Sequence, residues 1–349
     1  MAISVTPTEA EEILEMNLRA QNVTFLKGSP STAKSAIVKK LAATHNLKLI
    51  DIRLSQCEPP DLLGFPRINK DTNKSEYVPM ATFPIEGDEL PEGMNGWLIF
   101  LDEFNSVSES VQKASYKLVL DKQHGEHNLH PNVAIVCAGN LDTDNALVEV
   151  MSSATQSRIC HVHVRPDTPG FIKYMLENKF EHQIISFLEF KPKAHYTFDP
   201  DTSDGVDTYG CNRTWEFLDS QMKQLDDPAS YELALPLFAS AVGEGLAREF
   251  IVYLKNFAKL PKIADIMANP TMAQMPSEPG TQYAITGAIA QNATNESLPK
   301  LMQYVERLPL DFQVVTLRLI LRKGEEDNQR FIAIPCIQEW MLKNSEVIF

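Results

Sequence analysis

The loop Gly28-Ser29-Pro30-Ser31-Thr32-Ala33-Lys34-Ser35 constrains this chain more than any other segment. A short apolar strand, Val23 to Leu26, runs straight into it, and a helix through about His45 leaves it. Strand, small-residue loop, Lys-Ser and helix form the layout of a phosphate cradle. In such a cradle the backbone N–H groups and the helix N-terminus face the anion, the lysine reaches the terminal phosphates, and the serine hydroxyl binds Mg²⁺. The full pattern is G-x-x-x-x-G-K-[ST], and here Ala33 stands at the second glycine. A plain strand–helix turn with a capping serine is the rival reading of the segment.

A second signal lies 68 residues after Lys34. Leu98-Ile99-Phe100-Leu101-Asp102-Glu103 is an apolar strand with two acids at its carboxyl end, where ligands sit in a parallel α/β sheet. Asp102 is placed to hold the Mg²⁺ shell and Glu103 to polarise an attacking water. An apolar strand followed by Asp-Glu is common by itself, but together the two motifs read as a phosphate-loop nucleotidase. Asn140 ends the next buried strand, where an amide can orient that water or touch the γ-phosphate, or simply form a turn. Arg158 precedes the last strand and is either a surface residue or a finger reaching a neighbour's phosphate. Arg213 opens a helix, as a salt-bridge residue or a phosphate sensor.

Around these motifs, strands alternate with helices up to about residue 166. A helix over 8–21, capped near Thr8, comes first. Strands are expected at 23–26, 48–54, 97–101, 133–138 and 159–164. This spacing implies a parallel sheet with helices on both faces. Polar hairpins interrupt it at 64–79 and 122–131. Beyond 166 the pattern is helical: 169–190, 213–225, 231–257, 281–292, 297–307, 311–323 and 336–343. A Pro- and Met-rich stretch, 261–280, breaks this region. The domains read as 1–166 for the αβα core, 167–260 for an all-α lid, and 261–349 for a helical C-terminal extension.

Composition narrows the function. The 349 residues carry a formal charge of −14, which weighs against a nucleic-acid surface, since that affinity comes from Lys and Arg neutralising phosphates. No apolar run approaches the roughly 20 residues of a membrane span. The five cysteines are scattered, with no C-x-x-C pair, so neither a disulfide framework nor a zinc site is expected. A soluble protein of a reducing, cytoplasmic compartment follows. His124, His127 and His130 sit on a polar hairpin without ligand spacing. His161 and His163 share one face of a strand, and Trp215 and Trp340 read as packing anchors.

In order and in connecting text, these segments resemble the MoxR-type branch of AAA+ ATPases. The likeness rests on Gly28–Ser35, Tyr77-Val78-Pro79, Gly96-Trp97-Leu98, Leu101-Asp102-Glu103-Phe104-Asn105, Ala138-Gly139-Asn140, Ser157-Arg158 and Asn212-Arg213-Thr214-Trp215. It covers roughly residues 15–220. It implies a P-loop AAA+ fold in which Gly28 to Ser35 bind ATP or ADP, with Lys34 and Ser35 as the Walker A pair. Asp102 and Glu103 would be the Walker B pair, and Ser35 and Asp102 would hold Mg²⁺. Asn140 becomes sensor 1, Arg158 the arginine finger and Arg213 sensor 2. The hairpins match the family's helix-2 insert and pre-sensor-1 hairpin. Such proteins form hexameric rings and remodel protein clients in a chaperone-like way, often beside a partner with a von Willebrand factor A domain.

Two rival functions remain. One is a nucleotide-gated scaffold or switch with slow or no turnover, favoured by Ser31 and Ala33, which stand where the family usually has glycine. The other is a DNA-acting relative such as a helicase loader, disfavoured by the acidic charge. Ser31, in mid-loop, is expected to be left-handed and strained. Ala33, beside the helix start, is expected to be already helical.

Overall fold

The computed structural model describes residues 3–144, 151, 153–201, 206–257, 260–326 and 329–344. The chain divides into two compact units, 1–170 with 199–205, and 171–198 with 206–349.

The first unit holds strands β1 (Ser4–Val5), β2 (Thr24–Lys27), β3 (Leu47–Arg53), β4 (Phe65–Asn69), β5 (Lys74–Val78), β6 (Gly96–Asp102), β7 (Gln123–His124), β8 (His127–Asn128), β9 (Val133–Gly139) and β10 (Cys160–Val164). Its helices are α1 (Pro7–Arg19), α2 (Lys34–Thr44), α3 (Pro59–Leu63), α4 (Glu109–Asp121) and α5 (Ser153–Gln156). Six strands form one parallel sheet in the order β1-β10-β2-β9-β6-β3.

The unbroken apolar run of β6 follows from burial on both faces. Leu98 and Phe100 join the cluster built on α1 and α2, while Ile99 and Leu101 join the one built on α4. All four are fully buried, each stabilising the fold by about 1.5–3 kcal/mol. With no polar face there is no alternation to see. In the sheet, β2 lies inside, with β9, β6 and β3 on one side and β10 and β1 on the other. Chain connections diverge at that strand, and the crevice at its carboxyl end is the ligand position of open α/β sheets.

Both polar hairpins form, β4 with β5 and β7 with β8. Their histidines are tied into packing. His124 Nε2 accepts the Met80 N–H at 2.9 Å, and its ring stacks on Phe83 at 4.3 Å. Burial pushes His124 below the usual imidazole range. His130 Nδ1 accepts the Asn132 N–H at 3.0 Å.

Two local features differ from the sequence reading. β1 has no sequence signal, since two residues carry no periodicity. It pairs with β10 at Ser4↔His163 and Val5↔Val164. The cap of α1 is Thr6, not Thr8, in a capping box with Glu9: the Glu9 N–H donates to Thr6 Oγ1 and the Thr6 N–H to Glu9 Oε2. Pro7 follows as the first helical residue, where its missing N–H costs nothing.

The second unit is helical: α6 (Thr168–Glu177), α7 (His182–Phe190), α8 (Asn212–Met222), α9 (Ala234–Val242), α10 (Glu244–Phe257), α11 (Ile263–Ala268), α12 (Pro279–Gln291), α13 (Leu298–Val305), α14 (Leu310–Glu326) and α15 (Pro335–Lys343). The expected helix 169–190 is two helices, broken where Lys179 turns left-handed at φ 54°. The expected helix 231–257 breaks at Gly243, φ 87°. Neither break shows in an apolar pattern that runs through it. The unit holds two apolar clusters, one around Trp215, Phe187 and Phe250 and one around Trp340 and Tyr304. Each tryptophan N–H finds an acceptor, Ala194 and His195 carbonyls for Trp215 and Gln313 Oε1 for Trp340. No described helix is long and apolar enough to cross a membrane.

Candidate functional site

Three neighbouring strands, β2, β9 and β6, end side by side. β2 leads into Gly28–Ser35, β9 ends before Asn140, and β6 ends at Asp102. Parallel pairing in register, Lys27↔Gly139 and Leu101↔Cys137, puts these three termini at one edge of the sheet.

The loop is closed on itself. Lys34 Nζ donates to the Gly28 carbonyl at 2.6 Å and to that of Ser29 at 3.0 Å. Thr32 Oγ1 donates to the Ser29 carbonyl at 2.9 Å. Gly28 must be glycine for want of space, because a Cβ there would collide with the Val164 carbonyl and Thr32 Oγ1. Ser31 adopts φ 58°, as expected. Ala33, expected to be helical, instead has φ 68° and ψ 11° and caps α2 from the left-handed region. The helical pattern begins one residue later, at Lys34. A non-glycine residue in that region costs roughly 1–2 kcal/mol.

Ser35 Oγ donates to Asp102 Oδ2 at 3.2 Å, which joins the two motifs. A hydroxyl and a carboxylate on either side of one point are hard oxygen donors, the set that Mg²⁺ takes together with waters and phosphate oxygens. Asp102 Oδ1 accepts the Glu103 N–H at 2.9 Å, and Glu103 sits at φ 59°. Non-glycine residues with positive φ are uncommon and cluster at functional sites. The half-buried Glu103 carboxylate forms no hydrogen bond or ion pair with another described residue.

The sequence reading gave no role to two residues that hold this edge together. Asn105, buried to 1% exposure, donates Nδ2–H to the Asn140 carbonyl at 2.9 Å and accepts the Asn140 N–H on Oδ1 at 3.2 Å. Asp144, also buried, accepts Ser29 Oγ–H at 3.0 Å and the Leu141 N–H at 3.1 Å. It thereby ties the phosphate loop to the loop after β9. Neither cross-link has a spacing signal, since Asn140 lies 35 positions from Asn105 and Ser29 lies 115 from Asp144. At the margin, Lys27 pairs with Asp142 at 3.2 Å. His163, near Lys27 on the adjacent strand, is held below the usual imidazole range by burial first and the lysine charge second.

The two arginines are carried by other segments. Arg158 is exposed, just before β10 and at the amino end of the sheet. β10 runs parallel to β2 with Cys160↔Thr24 and His163↔Lys27, so the strand's length, roughly 15 Å, separates Arg158 from its own phosphate loop. Arg213 is exposed in the first turn of α8, in the second unit.

No curated protein matches the chain in sequence. Among solved structures, a proposed ATPase from Cytophaga hutchinsonii aligns over 98% of this chain and 90% of its own, at 14% identity and a TM-score of 0.37. The replication initiator DnaA bound to AMPPCP and single-stranded DNA aligns over 99% and 96%, at 12% identity and a TM-score of 0.37. Likeness this distant assigns no activity. The family model of the AAA domain, dynein-related subfamily, matches residues 23–159, which contain the phosphate loop, Asp102, Glu103, Asn140 and Arg158.

Proposed function

We propose that this protein is a MoxR-type AAA+ ATPase that binds ATP or ADP with Mg²⁺, hydrolyses ATP, and assembles into a homohexameric ring. The ring would remodel a protein partner in a chaperone-like way in the cytoplasm, the partner being a von Willebrand factor A-domain protein or another client. The observation that carries the catalytic part is the Ser35–Asp102 hydrogen bond, which brings the phosphate loop and the paired acids onto one point.

The chemistry follows from the residues. N–H groups of Ser29 and of Ser31 to Ser35, with the N-terminus of α2, surround the phosphates. Lys34 exchanges its two carbonyl partners for phosphate oxygens. Ser35 and Asp102 would hold Mg²⁺, which when bound neutralises charge building on the transferred phosphoryl group. Glu103 accepts the proton of the attacking water, and Asn140 orients that water. Because Arg158 lies a strand's length from its own loop, it can serve only a neighbouring protomer's nucleotide. This geometry supports a ring. Arg213 is assigned as the lid's phosphate sensor from the family resemblance.

A second reading, a slow nucleotide-gated switch, is supported by Ser31 and Ala33, both left-handed without being glycine. Steady-state ATP hydrolysis and nucleotide calorimetry on three proteins separate the readings. The wild type should turn over ATP. Glu103→Gln should bind ATP as tightly but hydrolyse it at least about 100-fold more slowly, since a positioned base contributes roughly 10²–10⁴-fold. Lys34→Ala should lose ATP affinity. Tight binding by the wild type with no steady-state turnover would select the switch. Normal hydrolysis by Glu103→Gln would remove the assigned base.

A further inference from the structure

We infer that Asn105 is a positioning residue for hydrolysis, its buried carboxamide locking Asn140 and the Asp102–Glu103 turn into one rigid unit. The inference rests on the ATPase reading above and adds to it a residue that touches neither phosphate nor water.

The last backbone pairing between β6 and β9 is Leu101↔Cys137. Beyond it, the segments that carry Glu103 and Asn140 have no shared ladder to hold them at a fixed separation. Two links replace it. The Phe104 N–H donates to the Ala138 carbonyl at 2.8 Å. The Asn105 carboxamide then acts as a false strand residue, donating to the Asn140 carbonyl at 2.9 Å and accepting the Asn140 N–H at 3.2 Å. Both bonds go to the backbone of one residue, which fixes the orientation of its peptide and not merely its distance. An amide is the group for this task, because it presents a donor and an acceptor side by side. Gly139 completes the fit: a Cβ at that position would overlap Asn105 Oδ1.

Phe104, between the acids and the clamp, is fully buried and meets Phe25 edge-on at 5.5 Å. The turn is thus pinned by the core at Phe104 and by the clamp at Asn105, while Glu103, just before them, keeps φ 59°. A left-handed glutamate persists only where its surroundings over-determine it. Loss of the carboxamide would let Asn140 and Glu103 drift separately. Small misplacements of this kind cost rate far more than affinity.

The test uses the full chain with Asn105→Asp and Asn105→Ala. At pH 8, Asn105→Asp keeps an acceptor but loses the donor. It should bind ADP within about twofold of wild type yet show kcat lowered roughly 10- to 100-fold. Lowering the pH should raise its kcat relative to wild type, because a protonated carboxyl regains the donor and burial favours protonation. Asn105→Ala should show the low kcat without that recovery. Circular dichroism and the ADP affinity establish that each variant is folded. Folded variants with wild-type kcat at every pH would overturn this inference alone. Unfolding of both would assign Asn105 to stability and overturn it as well. An inactive wild type would overturn the ATPase reading, and this inference with it.

Discussion

At the carboxyl end of the parallel sheet, three adjacent strands deliver a lysine, a serine, two acids and an amide to one edge, cross-linked by Asn105 and Asp144. At the amino end, the same strands begin around a shallow cleft of about 320 Å³ lined by Leu18, Asn22, His45, Asn95, Lys122 and Asn132, and Arg158 lies exposed before β10. Both ends contain left-handed residues that are not glycine: Ser31, Ala33 and Glu103 at one, Asn46 and Lys122 at the other. Their settings differ. Lys122 ends α4, an ordinary place for a left-handed residue. Ser31, Ala33 and Glu103 sit in loops that carry the candidate chemistry. The difference comes from strand direction. In a parallel sheet, strand carboxyl ends and the helix N-termini that follow them converge at the same edge, so anion-binding dipoles gather there.

The largest effect expected from this asymmetry concerns Arg158. Arg158→Ala should bind ATP normally and lose roughly a thousandfold in hydrolysis, the scale of an arginine finger. Mixing it with Glu103→Gln should restore part of the rate, because some interfaces then hold an intact base on one side and an intact finger on the other. Full activity of Arg158→Ala, or no recovery in rings proven by mass to be mixed, would break the assignment of the amino end to a neighbour's nucleotide.

Next come the strained loop positions. Ser31→Gly and Ala33→Gly each remove about 1–2 kcal/mol of left-handed strain from the loop. Nucleotide affinity should tighten by up to about tenfold at either position, read by calorimetry. Ala33→Gly should match Ser31→Gly, since both residues have positive φ. Equal affinities for wild type and both variants would show that the loop bears no strain relevant to binding, and would remove the support for a slow switch.

The smallest effect is the control at the other end. Lys122→Gly also relieves a left-handed residue, at the C-cap of α4, with φ 51°. It should raise stability by up to about 1 kcal/mol in thermal or chemical denaturation and leave nucleotide affinity unchanged. A change in affinity would show that the two ends are coupled through the sheet.

Much of this architecture is legible in the sequence. The runs at Trp97–Leu101 and Val133–Ala138 announced strands because burial on both faces removes every polar residue. The loop Gly28–Ser35 was visible because small residues, lysine and serine must be contiguous in sequence to wrap one anion. The breaks at Lys179 and Gly243 were not visible. In each, apolar residues continue on either side, and one backbone angle interrupts the helix.

The chain's order of residues determined by itself the alternation of strands and helices, the phosphate loop, the acidic strand end and the two hairpins. All of these depend on neighbours within a few positions. Tertiary structure decided what depends on pairing between distant segments. It put Ser35 within 3.2 Å of Asp102, gave Ala33 its left-handed backbone, made a clamp of Asn105 and a tether of Asp144, and carried Arg158 to the far end of the sheet. The physical reason is that strand order and register bring together residues far apart in sequence, and no local periodicity records which strands will be neighbours.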